Sequence, residues 1–393
     1  MSTAGSLKQQ PNGTWSFVTN VVPGPVGARR QARKRGFATK KEAQEALDEL
    51  RTGVRKGTYV PASHQSLSAY LDGWLEGLPT SGLRPSTIDG YRRNLLYVRP
   101  TLGGRRLDQL TAGDLDRLYS ELLASGLRLR EGGLSPRSVR YVHVVISKAL
   151  GDAVRRGELA RNVAEAASPP SAKSARPPEM AWWTPPQLRA FLDFIAGEPL
   201  AALIRVAGMT GMRRGEVCGL RWADVDLERG RVHVRQQLTT LNGKLIFSAR
   251  TKTDRGRRTI DLDPATAAVV RAQRARQAEH RLILGGTYED HDLVFAHVDG
   301  TPLDPESVAK VFDRRVARSG LPRIRFHDLR HSHVAHLIAA GEQPLLIARR
   351  LGHASASFTM DRYGHLFEDA GSTAAAAVAA MVDGPVTATV TNK

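Results

Sequence analysis

Four short stretches in the second half of the chain hold side chains suited to work on a phosphate ester. In order they are Thr210-Gly211-Met212-Arg213-Arg214-Gly215-Glu216, Thr251-Lys252-Thr253, His327-Asp328-Leu329-Arg330-His331, and Leu351-Gly352-His353, with Tyr363 ten residues further on. Attack on a phosphodiester builds negative charge on its equatorial oxygens. Two guanidinium forks, Arg213 and Arg330, match those oxygens, and losing one preorganised donor typically costs on the order of 100- to 1,000-fold in rate. A phenol such as Tyr363 attacks as its phenolate. With a free pKa of about 10, forming that phenolate near pH 7 costs roughly 4 kcal/mol. Neighbouring guanidinium charge and a histidine base reduce the cost. The leaving oxygen needs a proton, which Lys supplies and Arg, with a pKa above about 12, does not. Each stretch also has an ordinary structural reading. Arg213 can cap a helix or pair with Glu216, Lys252 can be a turn lysine, His327 and Arg330 share a helix face three residues apart, and Tyr363 can be packing. The four together, in this order, are harder to explain as structure alone.

These groups need rigid elements to carry them. The first stretch closes one apolar helix and opens the next, the second sits between two strands, and the third begins a helix. Helices are expected at Pro185–Ala196 and Ala201–Met209, after Asp263, Asp304 and His327, and around Pro344–Leu351. A three-strand unit is expected from Arg231–Gln237, Leu245–Thr251 and Arg258–Leu262, with Asn242-Gly243 as a hairpin turn. Upstream, residues 64–165 read as all-helical, with Ser86, Thr111 and Ser135 as N-caps and Pro136 at the first helical position. Residues 166–180, rich in Pro, Ser and Ala, read as an extended linker. Residues 1–63 suggest a small sheet followed by a helix. Trp15, Phe17 and Val18 are strand-like, and Thr39 with Glu42 forms a capping box that opens a helix through about Arg51.

Composition narrows the partner. The 393 residues carry 57 Lys+Arg against 39 Asp+Glu, a formal net charge of +18, which points to a polyanion. Arg outnumbers Lys 46 to 11. That bias suits phosphate, and it also fits a GC-rich coding sequence. Charge is densest in residues 1–63, with 11 basic and 4 acidic side chains, including Arg29, Arg30, Arg33, Lys34 and Arg35. The single cysteine, Cys218, excludes a disulfide framework and a Cys-based zinc finger. No secretory signal and no membrane-length apolar run is present, so a cytoplasmic protein without a membrane partner is expected. A hydrophobic content of 41% excludes a mostly disordered chain.

The stretches TGMRRGEVCGLRW, TKTDRGRRTIDL, HDLRHSH and LGHASASFTMDRYGH resemble the tyrosine recombinase, or phage integrase, family. The resemblance covers roughly Trp182 to Leu366. It implies a catalytic set of Arg213, Lys252, His327, Arg330, His353 and Tyr363, with Tyr363 as nucleophile forming a 3′-phosphotyrosyl link. His327 is the better candidate for the base, while His353 is better placed to bond a phosphate oxygen. Glu216 is either an orienting partner of Arg213 or ordinary helix polarity. His331 and His333 receive no primary role. The flanks of Lys252 match the family, and those of its rival Lys244 do not. The other tyrosine of this half, Tyr288, precedes Glu289 and Asp290, which would repel a phosphate.

The implied architecture is multidomain α+β. An arm-type DNA-binding domain spans 1–63, with Arg29, Arg30, Arg33, Lys34 and Arg35 as DNA-binding residues. A helical, SAM-like core-binding domain spans 64–165, a linker 166–180, and a mainly helical catalytic domain with a small three-stranded antiparallel sheet 181–393. The implied partners are double-stranded DNA at attachment sites, three further copies of the chain in a synaptic homotetramer, a host DNA-bending protein and an excisionase. No cofactor or metal is expected, because transfer to tyrosine conserves the ester energy and an Arg sits among the clustered histidines. The rival readings are a chromosome-dimer-resolving recombinase, a type IB topoisomerase-like relaxase, a non-catalytic DNA-binding protein and, last, a metal-dependent nuclease.

Overall fold

A computed structural model describes residues 6–21, 30–55, 64–126, 131–176, 180–241, 243–249, 257–353, 355–367 and 381–382. The chain divides into two compact units, Met1–Pro177 and Pro178–Lys393.

The first unit opens with an antiparallel sheet of β1 (Ser6–Gln9), β2 (Trp15–Val21) and β3 (Arg30–Phe37), followed by helix α1 (Lys40–Arg55). Phe17 and Val21 of β2 are buried with Leu47 and Leu50 of α1 in a core of their own. A register shift at Trp15/Ser16 re-phases the strand pair. Phe37 then stacks on Phe17 at 5.7 Å between ring centroids. At the start of α1, the Glu42 N–H donates to Thr39 Oγ1, while the Glu42 carboxylate accepts from the Ala38 N–H. The box thus closes one residue earlier than the sequence pattern implies.

Among the described residues the helices that follow in this unit are α2 (Leu67–Gly77), α3 (Pro85–Leu95), α4 (Arg99–Leu102), α5 (Ala112–Ser125) and α6 (Pro136–Arg155). Leu71, Trp74, Leu115, Val142 and Ile146 are fully buried in their shared core. The buried indole N–H of Trp74 donates to Asp152 Oδ2 at 2.8 Å, so its polar edge is satisfied. Thr111 and Ser135 cap α5 and α6 through their side chains. Ser86 does not cap α3: Pro85 takes the first helical position, with no N–H to lose, and moves the cap to Arg84. The segment expected as an extended linker is tied to this helical body. The Ser168 N–H donates to Asp116 Oδ1 at 2.6 Å, and Arg140 donates to the Pro170 carbonyl at 2.9 Å. A Ser-capped turn follows, in which the Ser174 N–H bonds Ser171 Oγ.

The second unit runs α7 (Pro185–Phe194), α8 (Ala201–Thr210), α9 (Arg214–Cys218), β4 (Val225–Asp226), β5 (Arg231–Val234), β6 (Gln236–Leu241), β7 (Lys244–Ala249) and β8 (Arg258–Asp261). Five helices close it: α10 (Pro264–Leu284), α11 (Pro305–Arg318), α12 (Asp328–Ala339), α13 (Pro344–Leu351) and α14 (Ala356–Tyr363). The expected three-strand unit is divided. The three-stranded antiparallel sheet has the order β4-β5-β8, and β6-β7 is a separate hairpin. The break falls at Arg235. Val232 and Val234 bury into the core, whereas Gln236 turns its amide to the Gly219 carbonyl. The hairpin then packs directly on α9, where a Cβ on Gly215 would lie 2.5 Å from the Leu238 oxygen.

Helix α12 is the centre of this unit. Seven consecutive residues, Asp328 to Val334, are buried, so no single apolar stripe marks the helix. Ser332 Oγ accepts from the Trp183 N–H at 2.9 Å. Trp183 in turn packs on Phe191 and Phe312 in the main core. The His333 ring lies beneath Gly211, the C-cap of α8, which has φ +65. A Cβ there would sit 2.7 Å from His333 Cδ2 and 2.8 Å from Leu351 Cδ2.

Two outcomes follow for stability. Gly211→Ala forces a left-handed backbone on alanine and a collision with two buried side chains. It should cost more than about 1 kcal/mol from backbone strain alone, read as a lower denaturation midpoint with native secondary structure retained. Burial and then the Arg350 charge push His333 down to about 3. Burial, His327 and Arg362 push His331 down to about 4. Below pH 6.5 the unfolded chain binds protons that these folded histidines refuse. Stability of the second unit is therefore full above about pH 6.5 and falls as pH drops toward 4, by up to about 1.4 kcal/mol per pH unit for each histidine. Thermal melts at pH 7.5 and 5.5 measure this, and equal midpoints would contradict it.

Candidate active site

Three chain turns bring the chemistry-bearing residues together. Arg213 is the N-cap of α9 in extended conformation. Its backbone N–H and its guanidinium both donate to the Glu216 carboxylate, each at 2.9 Å. Glu216 is fully buried and also accepts from Arg258 of β8 at 2.8 Å. The outer nitrogen of Arg213 reaches toward the Gly352 carbonyl at 3.5 Å. Arg330, on α12, donates to the Gly211 carbonyl at 2.7 Å and to the Leu351 carbonyl at 2.8 Å. It is held at the C-terminal ends of α8 and α13, where helix carbonyls carry partial negative charge. Burial, then Arg213, pushes its pKa below that of a free guanidinium.

Three guanidiniums thus gather around one carboxylate, and the surplus charge is positive. A groove of about 790 Å³ opens beside them, lined by Arg257, Arg258, Arg349, Arg350 and His353. His353 Nδ1 is 2.8 Å from Thr359 Oγ1. Burial, then Arg330 and Arg213, pushes His353 down to about 3, so it is neutral at pH 7.

Tyr363 ends α14 and is 2% exposed, packed with Val334, Ile347 and Leu351. Burial raises its pKa, while the charges of Arg330 and Arg362 pull it back down. Its hydroxyl lies 2.5 Å from His331 Nδ1. His327, expected on sequence grounds to face the tyrosine, sits at the N-cap of α12 and packs edge-on against His331 at 5.3 Å. Among the described residues its ring makes no hydrogen bond to Tyr363. Partial desolvation by its neighbours, then Arg330, lowers its pKa.

The structure therefore groups Arg213, Glu216, His327, Arg330, His353 and Tyr363. It adds Arg258, Thr359 and His331, which the sequence reading left without roles. Arg258 and His331 both lie inside the quoted stretches, but contact across elements, not spacing, is what distinguishes them. Lys252 lies outside the described residues, as does Arg29. Arg30 begins β3, and Arg33, Lys34 and Arg35 are exposed along it, opposite Val18, Phe17 and Ser16 of β2. Among the described residues, no three or more His, Cys, Asp or Glu side chains gather as a metal site. Among them, too, no helix is long and apolar enough to cross a membrane.

Residues 182–369 match the Phage integrase family, and residues 7–53 match the Arm DNA-binding domain. An integrase of Streptomyces ambofaciens is 30% identical over 89% of this chain and 88% of its own. The fold is similar to the Tn1549 transposon integrase solved with circular intermediate DNA, with TM-score 0.63 and 19% identity over 79% of this chain and 98% of that one. It is also similar to a lambda integrase tetramer bound to a Holliday junction, with TM-score 0.55 and 18% identity over 89% of this chain and 96% of that one. The chain belongs to the phage integrase family and is a site-specific tyrosine recombinase of DNA.

Proposed function

We propose that this recombinase integrates a mobile element by cutting and rejoining DNA with Tyr363 as the nucleophile. The observation that carries the reading is the meeting of Arg213, Arg330 and His353 beside a buried tyrosine, in a setting with surplus positive charge. Arg213 and Arg330 hold the equatorial oxygens of the scissile phosphate, and Glu216 orients Arg213. Neutral His353 donates a hydrogen bond to a phosphate oxygen. Tyr363 bonds phosphorus, the 5′-oxygen leaves, and Lys252 gives it a proton. The phosphotyrosyl ester keeps the energy of the broken bond, and the 5′-hydroxyl of a partner strand attacks it in turn.

The domain plan proposed is an arm at 1–63, a helical clamp at 64–165, a linker at 166–180 and the catalytic domain at 181–393. Exposed Arg33, Lys34 and Arg35, with Arg29 and Arg30, grip the phosphates of separate arm sites. Linking arm and core binding raises the effective concentration of each for its own site. Four protomers act on two sites, by likeness to the lambda tetramer. The setting is the cytoplasm, with a host DNA-bending protein and an excisionase as accessory partners. The match of residues 7–53 to an arm domain favours integration over chromosome-dimer resolution.

Incubation with a nicked attachment-site duplex in EDTA, followed by a denaturing gel, should show a covalent protein–DNA adduct that vanishes in Tyr363→Phe. No adduct from the unsubstituted chain on its cognate site would refute the mechanism. Deleting residues 1–63 should weaken integration yet leave cleavage of isolated core sites. Loss of core cleavage by a truncated chain that stays folded would refute the modular plan.

A further inference from the structure

The hydroxyl of Tyr363 meets a side chain outside the expected catalytic set. His331 Nδ1 lies 2.5 Å from it, and both residues are almost wholly buried. The other ring nitrogen, Nε2, is buried and has no hydrogen-bond partner among the described residues. It faces Asp328 Oδ1 at 3.9 Å. Asp328 is itself fixed, accepting from the Arg325 backbone N–H at 2.8 Å and from the Arg325 guanidinium at 3.0 and 2.8 Å. This arrangement selects the tautomer. A bare lone pair on Nε2 would point toward a carboxylate, so the proton sits on Nε2, and Nδ1 accepts from the tyrosine. Nucleophile and imidazole are in hydrogen-bond contact, and the carboxylate lies on the far side of the ring at 3.9 Å, an ion-pair rather than a hydrogen-bond distance.

We propose that His331 is the general base of the reaction, taking the Tyr363 proton on Nδ1 while Asp328 stabilises the resulting imidazolium through Nε2–H. This rests on the reading of Tyr363 as nucleophile. The balance is complete. The O–H bond of Tyr363 breaks as its oxygen bonds phosphorus, the P–O5′ bond breaks, and the 5′-oxygen takes a proton from the acid. On strand joining, the proton on Nδ1 returns to the tyrosine oxygen as the phosphotyrosyl bond breaks. The charged and titratable groups around His331 are His327 at the head of α12, Asp328 on α12, Arg325 before it and Arg362 on α14. Of these only Asp328 favours the imidazolium. His327 contributes a packing edge to the His331 ring rather than the proton acceptor.

Two reactions of the full chain separate the roles. One is covalent adduct formation on the nicked duplex. The other is joining of a strand bearing a 3′-p-nitrophenyl phosphate to a 5′-hydroxyl strand in a Tyr363→Phe background, which uses the phosphate site but takes no proton from Tyr363. His331→Asn keeps a polar atom near Nδ1 that does not take up the proton, and His331→Ala removes it. Both should lower the rate of adduct formation about 100-fold or more, with p-nitrophenolate release in the Tyr363→Phe background within about twofold of Tyr363→Phe alone. Adduct formation by His331→Asn at the original rate overturns the proposal, because the bond then only positions the ring. Faster adduct formation in His331→Ala also overturns it, because the bond is then a resting lock. Parallel loss of both reactions overturns it as well, placing His331 in the support of the phosphate site. If the unsubstituted chain releases p-nitrophenolate but forms no adduct, the nucleophile reading fails first and the proposal with it.

Discussion

One buried carboxylate makes the site possible. Glu216 accepts from the Arg213 backbone, the Arg213 guanidinium and Arg258, with no exposure to solvent. Without it, cations drawn to one place would push each other apart, since their mutual repulsion is little screened away from water. Burying an ion pair gains little net stability, because desolvation offsets attraction, but removing one partner leaves a buried charge uncompensated. Glu216 is therefore better understood as fixing geometry than as adding stability. It neutralises part of the charge and leaves the remainder directed at an anion. Arg330 is held by a different device, two helix C-terminal carbonyls at Gly211 and Leu351, which orient the fork without cancelling its charge.

That device constrains the fold around it. Arg330 reaches both carbonyls only if the ends of α8 and α13 meet over α12, and they meet only because Gly211 has no side chain to strike His333 and Leu351. The same helix anchors the start of the unit, through Ser332 to the Trp183 backbone. Core packing and the proposed phosphate site thus share one helix. Its first two turns are buried on every side, and among the described residues their polar groups, His331 Nε2 apart, pair with neighbours.

The parts legible in sequence are those whose chemistry is local. Asp263, Asp304, Thr111 and Ser135 announce helix starts because a cap is a contact within three residues. Arg213, Arg330, His353 and Tyr363 stand at helix ends or turns, and their ordered types are readable without a fold. Contacts across elements were not legible. The split of the sheet at Arg235 depends on Gln236 finding the Gly219 carbonyl, and the role of Arg258 depends on β8 passing beside α9. The Ser86 cap failed because Pro85 competed for the same turn. His331 was hidden for a similar reason. Its partner is 32 residues away on another helix, and sequence spacing favours His327, which shares a face with Arg330.

The electrostatics of the pair explain why so weak a base can serve. The free imidazole is poorly basic here because burial and neighbouring cations disfavour a second positive charge. One of those cations, Arg362, together with Arg330, favours the phenolate and draws the tyrosine pKa down against burial. Moving a proton from Tyr363 to His331 creates no net charge, so a distant cation acts on both halves and largely cancels. What remains is local: Asp328 beside the imidazolium and Arg330 on the phenolate side. A DNA phosphate entering the site adds the negative charge that the surplus of guanidiniums lacks. By Coulomb's law it relieves the penalty on the imidazolium, and as phosphorus bonds the phenolate oxygen, the charge on that oxygen passes to groups the arginines already hold.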